Sequence, residues 1–184
     1  MREDCAPVVI RRWLAFLRER LVVPTGRLWP RGLFRVAYLS SADRALPLSL
    51  DFTDAWTLAF LAPIAPALVD ELVPRLWKRL RFDANGAHLR APPLAHRLEV
   101  ANAALATGFA YVLAREIGAE EVAQQLRCWA VATLRPTWRD GVLFSDTEPR
   151  PYVTALFALG DALAPRTLGR VFGIVEEPPI GGRQ

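Results

Sequence analysis

Apolar positions recur with a helical period through most of the chain. Between Ala6 and Leu21, Ile10, Trp13, Leu14, Leu17 and Leu21 fall three or four residues apart and are backed by Arg11, Arg12, Arg18 and Glu19. That spacing predicts an amphipathic helix. Pro24 and Gly26 close it, and the segment to Leu48, with a β-leaning run from Leu33 to Tyr38, reads as loop with at most one short strand. Thr53 as N-cap and Asp54 in the first turn predict a helix running to Leu61, which Pro63 ends because its ring cannot extend the hydrogen-bond ladder. A second helix starts near Pro66, carries Leu72, Leu76 and Leu80 one turn apart with Trp77 beside them, and bends at Pro74.

Further along, the Asn85-Gly86 pair inside Phe82–His88 predicts a tight hairpin. The strongest periodicity runs from Leu94 to Ile117, with Leu98, Leu105, Phe109, Val112 and Leu113 on one face and Gly118 as the stop. Glu120 and Glu121 suit the positive end of another helix, whose buried stripe is Val122, Leu126 and Trp129 and whose end is Pro136. A loop this short makes the two helices antiparallel. Pro136–Phe144 reads as a turn and a short extended piece, and Tyr152–Ala162 as a last helix. The expected class is mostly α, with antiparallel helical hairpins and short β-hairpin excursions. Residues 1–184 read as a single helical domain, and 174–184, rich in Pro and Gly, as a loose tail.

Composition narrows the function more by exclusion than by assignment. Apolar residues make up 52% and charged ones 23% of the chain, so it can bury a real core. The net charge is +4, but the arginines are scattered among acids instead of gathered on one face, which argues against nucleic acid. Two cysteines without metal-ligand spacing fit a reducing, cytoplasmic setting and suggest no metal. The uncharged stretch Ala55–Val69 contains Pro63 and Pro66 and is too short for a membrane span. Phosphate-loop, serine-hydrolase, zinc-protease and calcium motifs are all missing, so no cofactor is expected.

What remains are small constellations. Asp51 and Asp54 precede Trp56 at a helix start, where a carboxylate caps the helix or, if burial raises its pKa, serves as acid or base. Trp138, Asp140 and Tyr152 surround a turn that either walls the mouth of an apolar pocket or plugs the end of a helix pair. His88 and His96 read as surface or satisfied histidines, and Cys128, beside Trp129, as a buried structural thiol. The candidate catalytic residues are Asp54 and Asp140, and the candidate substrate-binding residues are Trp56, Trp138 and Tyr152.

The order of several short motifs adds a resemblance. Asp54-Ala55-Trp56 with Ala59-Phe60, then Ala114-Arg115-Glu116-Ile117-Gly118 with Glu120-Glu121, then Pro136-Thr137-Trp138 with Asp140-Gly141 and Leu143-Phe144, resemble the carboxyl-terminal part of the linalool dehydratase/isomerase family. Ala155–Leu163 and Leu168-Gly169-Arg170-Val171-Phe172 are similar as well, so the likeness spans residues 50–173 in patches. The resemblance implies an (α/α)6 toroid whose inner helices line an apolar pocket, and a cofactor-independent lyase and isomerase acting on a small apolar alcohol. The family's amino-terminal half finds no counterpart in this reading. The chain therefore reads as a truncated or split member, with a second chain or further copies completing the barrel. Two alternatives stand beside it: a non-enzymatic helical ligand-binding or protein-interaction module, and a carbohydrate-active barrel in which Asp54 and Asp140 face each other.

Overall fold

The computed structural model describes residues 5–24, 32–35, 38–39, 44–45, 51–89, 99–134, 138–139, 142–145, 148–149, 151–165 and 167. It is mostly helical. In chain order the elements are α1 (Cys5–Phe16) with a π-helical turn (Leu17–Leu21), β1 (Tyr38–Leu39), β2 (Arg44–Ala45), α2 (Asp51–Leu61), α3 (Pro66–Trp77), β3 (Leu80–Asp83) and β4 (Gly86–Leu89). There follow α4 (Glu99–Ile117), α5 (Glu120–Leu134), β5 (Trp138–Arg139), β6 (Val142–Ser145), β7 (Glu148–Pro149) and α6 (Pro151–Ala162).

α4 organises the packing: α2 and α6 lie against its two flanks, while α5 and the β3–β4 hairpin cover its back. α3 folds back on α2. The contacts also fix a direction. Gly108 of α4 meets Leu156 and Phe157 of α6, Tyr111 meets Gly160, and Arg115 donates to the carbonyls of Gly160 and Leu163 at 3.2 and 2.8 Å. Both sequences advance together, so α4 and α6 run parallel. α5 returns the chain between them: Gly118, at φ +75°, takes the left-handed conformation that ends α4, and the N–H of Ala119 closes on the Ala114 carbonyl at 2.8 Å. The result is an inner row, α2–α4–α6, with α3, β3–β4 and α5 behind it.

The core fills the space between row and backing. Leu58, Leu61, Leu72, Leu76, Leu89, Leu113, Leu126 and Val153 are all below 2% exposed. Leu89 closes the hairpin onto α4 by donating its N–H to the buried Thr107 hydroxyl at 3.2 Å. On the amino-terminal side, Val22 bridges Phe34, with Val23 N–H donating to the Leu33 carbonyl and Arg35 N–H to the Leu21 carbonyl, both at 2.8 Å.

Several expectations change. Instead of at most one strand in the early loop there is a two-stranded ladder, Tyr38 opposite Ala45. The piece after α5 forms three antiparallel strands where one short extended piece was expected. Leu80 belongs to β3, not α3, and Pro74, where a bend was expected, sits inside α3. Ile10 and Trp13 of the α1 stripe are exposed while Leu17 is buried: an apolar stripe records a capacity to pack and does not ensure that a partner is present. The start expected for α4 near Leu94, together with His96, Pro136, Asp140 and the tail from 174, lies outside the described residues.

In the hairpin, the two-residue turn is Ala84-Asn85, one position earlier than the Asn-Gly reading, because Asp83 pairs with Gly86 and the Asp83 carboxylate accepts from the Asn85 N–H at 2.8 Å. Gly86 is needed for a different reason. It has φ +132°, and a Cβ there would stand 2.4 Å from the Gln125 carbonyl oxygen and 2.8 Å from the Trp129 nitrogen of α5. Gly86→Ala should therefore lower unfolding free energy by about 2–5 kcal/mol, through strain and a helix pushed off its seat. A wild-type urea midpoint for this variant would remove the close approach from the account.

His88 stacks on Trp129 at 4.9 Å between ring centroids, and burial holds its pKa below the ordinary 6.5, with Asp83 pulling it up and Arg81 down. A histidine that resists protonation in the fold but not in the unfolded chain costs stability as pH falls below its unfolded value. Melting curves from pH about 7.5 to about 5.5 should show the wild type losing more stability than His88→Gln, and parallel losses would contradict this.

Candidate functional site

Asp54 and Trp56 are two residues apart on α2, about 200° around the helix, so they serve opposite sides. Asp54 faces the backing and is fully buried. Its Oδ2 accepts from the Leu33 N–H at 2.8 Å and from Arg79 Nη1 at 2.5 Å, and its Oδ1 accepts from the Phe34 N–H at 3.0 Å. Arg75 reaches past it to the Val23 carbonyl at 2.8 Å. Burial raises the Asp54 carboxyl to about 7 against the pull of the two N–H groups and Arg75, and burial lowers Arg79 to about 10. The Leu33, Phe34 and Arg79 contacts are all donors aimed at the carboxylate oxygens, and a proton on Asp54 would compete with them. The geometry holds the pair as ions, tying residues 21–24 and 32–35 to α2 and α3.

This position differs from the one expected of a first-turn cap. α2 begins at Asp51, so Asp54 lies inside the helix, and the N–H groups it satisfies belong to a distant segment. No ligand resting on the Trp56 side would reach its carboxyl.

Trp56 points away from the core. It is 45% exposed, stacks on Phe109 of α4 at 5.7 Å and 14°, and meets Phe60 edge-on at 6.0 Å. Phe60 is 53% exposed. Leu105, one turn before Phe109, shares its side of α4, and Leu156 of α6 lies against Gly108 in the next groove. On α6, Tyr152 and Leu159 fall on the Leu156 side, whereas Asp161 turns the other way, to Arg127 of α5 at 2.8 Å and the Tyr111 hydroxyl at 2.7 Å. The inner row thus presents one apolar, aromatic surface on the side away from α5. Trp56, Phe60, Leu159 and Tyr152 are its exposed members, and Leu105, Phe109 and Leu156 are partly buried between them and the core.

Trp138 is in β5, opposite Leu143 of β6, and β6 packs on α6. Asp140, between these strands, lies outside the described residues. The structure therefore brings Trp56 and Tyr152 to one surface and puts Asp54 behind it. Phe60 was legible as part of the Trp56 motif, and Leu105 and Phe109, expected on the apolar face of α4, are partly buried against the core. Glu116 falls on the same arc of α4, two turns beyond Phe109, and is buried with its polar atoms engaged.

Elsewhere, a groove of about 450 Å³ lies on the outer side against Asn85, Gln124, Arg127 and Val131. Cys128 lines it and is exposed, not buried as its place beside Trp129 suggested, since one step along a helix rotates the side chain by about 100°. Among the described residues no three His, Cys, Asp or Glu side chains gather as metal ligands would, and no described helix is long and apolar enough to cross a membrane.

Residues 4–150 match the family model for linalool dehydratase/isomerase. The match takes in α1 and the loop tied down by Asp54, which the resemblance beginning at residue 50 left aside, and it stops before α6.

Removing the Asp54 side chain should leave Arg79 buried and two N–H groups unsatisfied. For Asp54→Ala a loss of about 3–5 kcal/mol is expected in chemical denaturation, with faster proteolysis between residues 21 and 35. A loss under about 1 kcal/mol would mean the carboxylate does not anchor that segment.

Proposed function

The chain belongs to the linalool dehydratase/isomerase family, and from that premise we propose that it holds a small apolar alcohol against the aromatic side of α2, α4 and α6, as part of a lyase and isomerase. The observation that carries this reading is the Trp56 ring, 45% exposed and stacked on the partly buried Phe109, with the exposed Phe60 edge-on beside it. A monomeric globule gains nothing by leaving such rings in water, and a contiguous apolar surface of this kind marks a binding site.

The alternation of inner and outer helices supports the ring architecture. α4 and α6 are parallel neighbours joined through an outer helix, and the same step repeated around an axis gives an (α/α) toroid. In it the aromatic surface becomes the lumen wall, and further helices, from a second chain or further copies, close the pocket. A cytoplasmic setting fits the two cysteines.

The chemistry asked of the wall is modest and definite. Dehydrating an alcohol means protonating its oxygen so that water leaves, then removing a proton from a neighbouring carbon; isomerisation returns water at another carbon. The positive charge that develops on carbon is stabilised over the faces of Trp56 and Phe109, and exclusion of bulk water keeps it from being captured at random. Asp140 is the proposed acid: it follows β5, and the β6 strand after it packs on α6, which carries Tyr152 in its first turn. Asp54 contributes by position, fixing the α2 helix that carries Trp56.

Trp56→Ala should weaken equilibrium binding of linalool about tenfold or more while changing the unfolding midpoint little, given that the ring is half exposed. Dehydration and isomerisation products from linalool should fall with it. Undiminished binding by this variant would end the reading.

A further inference from the structure

The apolar surface is not uniform in its chemistry. α4 and α6 are in register so that Gly108 lies beside Leu156 and Tyr111 beside Gly160. Tyr152, one turn before Leu156, is therefore level with Ala103 and Ala104 of α4, just before Leu105 and about 8 Å along the axis from Phe109 and its Trp56 stack. It is 46% exposed, and its hydroxyl makes no hydrogen bond among the described residues. Glu116 stands toward the other end of the same arc, but it is buried and its polar atoms are already engaged. Along the α4–α6 register a ligand lying on Trp56 and Phe109 thus has an available hydroxyl toward the Leu105 end and the hydrocarbon of Leu159 toward the other.

We propose that Tyr152 is the residue that reads the ligand's hydroxyl, so that an alcohol lies with its oxygen toward the amino-terminal end of α6 and its hydrocarbon body over Trp56 and Phe109. This rests on the binding reading given above. A phenol can both donate to and accept from an alcohol, so the contact suits the neutral hydroxyl before it leaves as water. It discriminates by hydrogen bonding, whereas the rest of the wall discriminates by shape. The hydrocarbon of the same skeleton, which lacks the oxygen, gains nothing from it.

Equilibrium binding of two probes, linalool and the hydrocarbon formed from it by loss of water, separates the claims. Tyr152→Phe should weaken linalool about three- to tenfold, the worth of one neutral hydrogen bond, and leave the hydrocarbon unchanged. Trp56→Ala should weaken both. If Tyr152→Phe weakens both equally or neither, the orientation is wrong while the wall stands on the Trp56 result. An alcohol-selective loss in Glu116→Gln in place of Tyr152→Phe reverses the orientation and overturns the assignment. If the wild-type chain binds neither probe, or Trp56→Ala binds both as the wild type does, the wall itself is refuted and Tyr152 with it.

Discussion

Two parallel helices lying side by side cannot be joined by a turn, because the chain must first travel back along their full length. α4 and α6 are such a pair, and α5 makes the return trip. From this follow the two layers and the sequestering of Leu113, Leu126 and Val153 between them. A bundle of simple up-and-down neighbours would have folded the inner row's other side inward. Trp56 stays half exposed, while the Phe109 ring it stacks on is partly buried against the core.

Charge is arranged to respect the same division. The Asp54–Arg79 pair with Arg75, and the Asp161 carboxylate shared by Tyr111 and Arg127, lie between or behind the helices of the row. Burial alone would raise the Asp161 carboxyl, but hydrogen bonds from Arg127 and Tyr111 hold it below its ordinary value; Tyr111 in turn is pushed up to about 12, by burial first and then by Asp161. Both clusters fasten helices of the wall from the rear. A hydrophobic surface needs this kind of support, since apolar contacts resist sliding poorly and directional hydrogen bonds resist it well.

How much of this could be read in the chain depends on range. Gly118 with Glu120 and Glu121 identified the α4–α5 corner, because a helix stop and a helix start are local chemistry. Pro63 and Pro66 bounded α2 and α3 for the same reason. Asp54 was visible as a helix acid, but its partners are the N–H groups of Leu33 and Phe34, some twenty residues earlier, and no local signal names them. Cys128 was misassigned as buried: helical periodicity gives the angle of a residue about its axis and says nothing of which angle meets a neighbour. The family motifs around Trp56 recovered part of what periodicity left out. The surface joining α2 to α6 needed the packing of α4 to be seen.

Gly108 and Gly160 carry a final consequence. Each faces a side chain of the opposite helix, Leu156 in one case and the Tyr111 ring in the other, at distances a methyl group would not tolerate without movement. The α4–α6 seam is thereby set close, and anything larger at either position wedges it apart. The α2 flank has aromatic side chains instead of glycines at its contact with α4. A lineage altering which molecules fit would find its room for change there, by trimming or enlarging rings, while the seam on the other flank stays as a hinge pin that cannot be thickened.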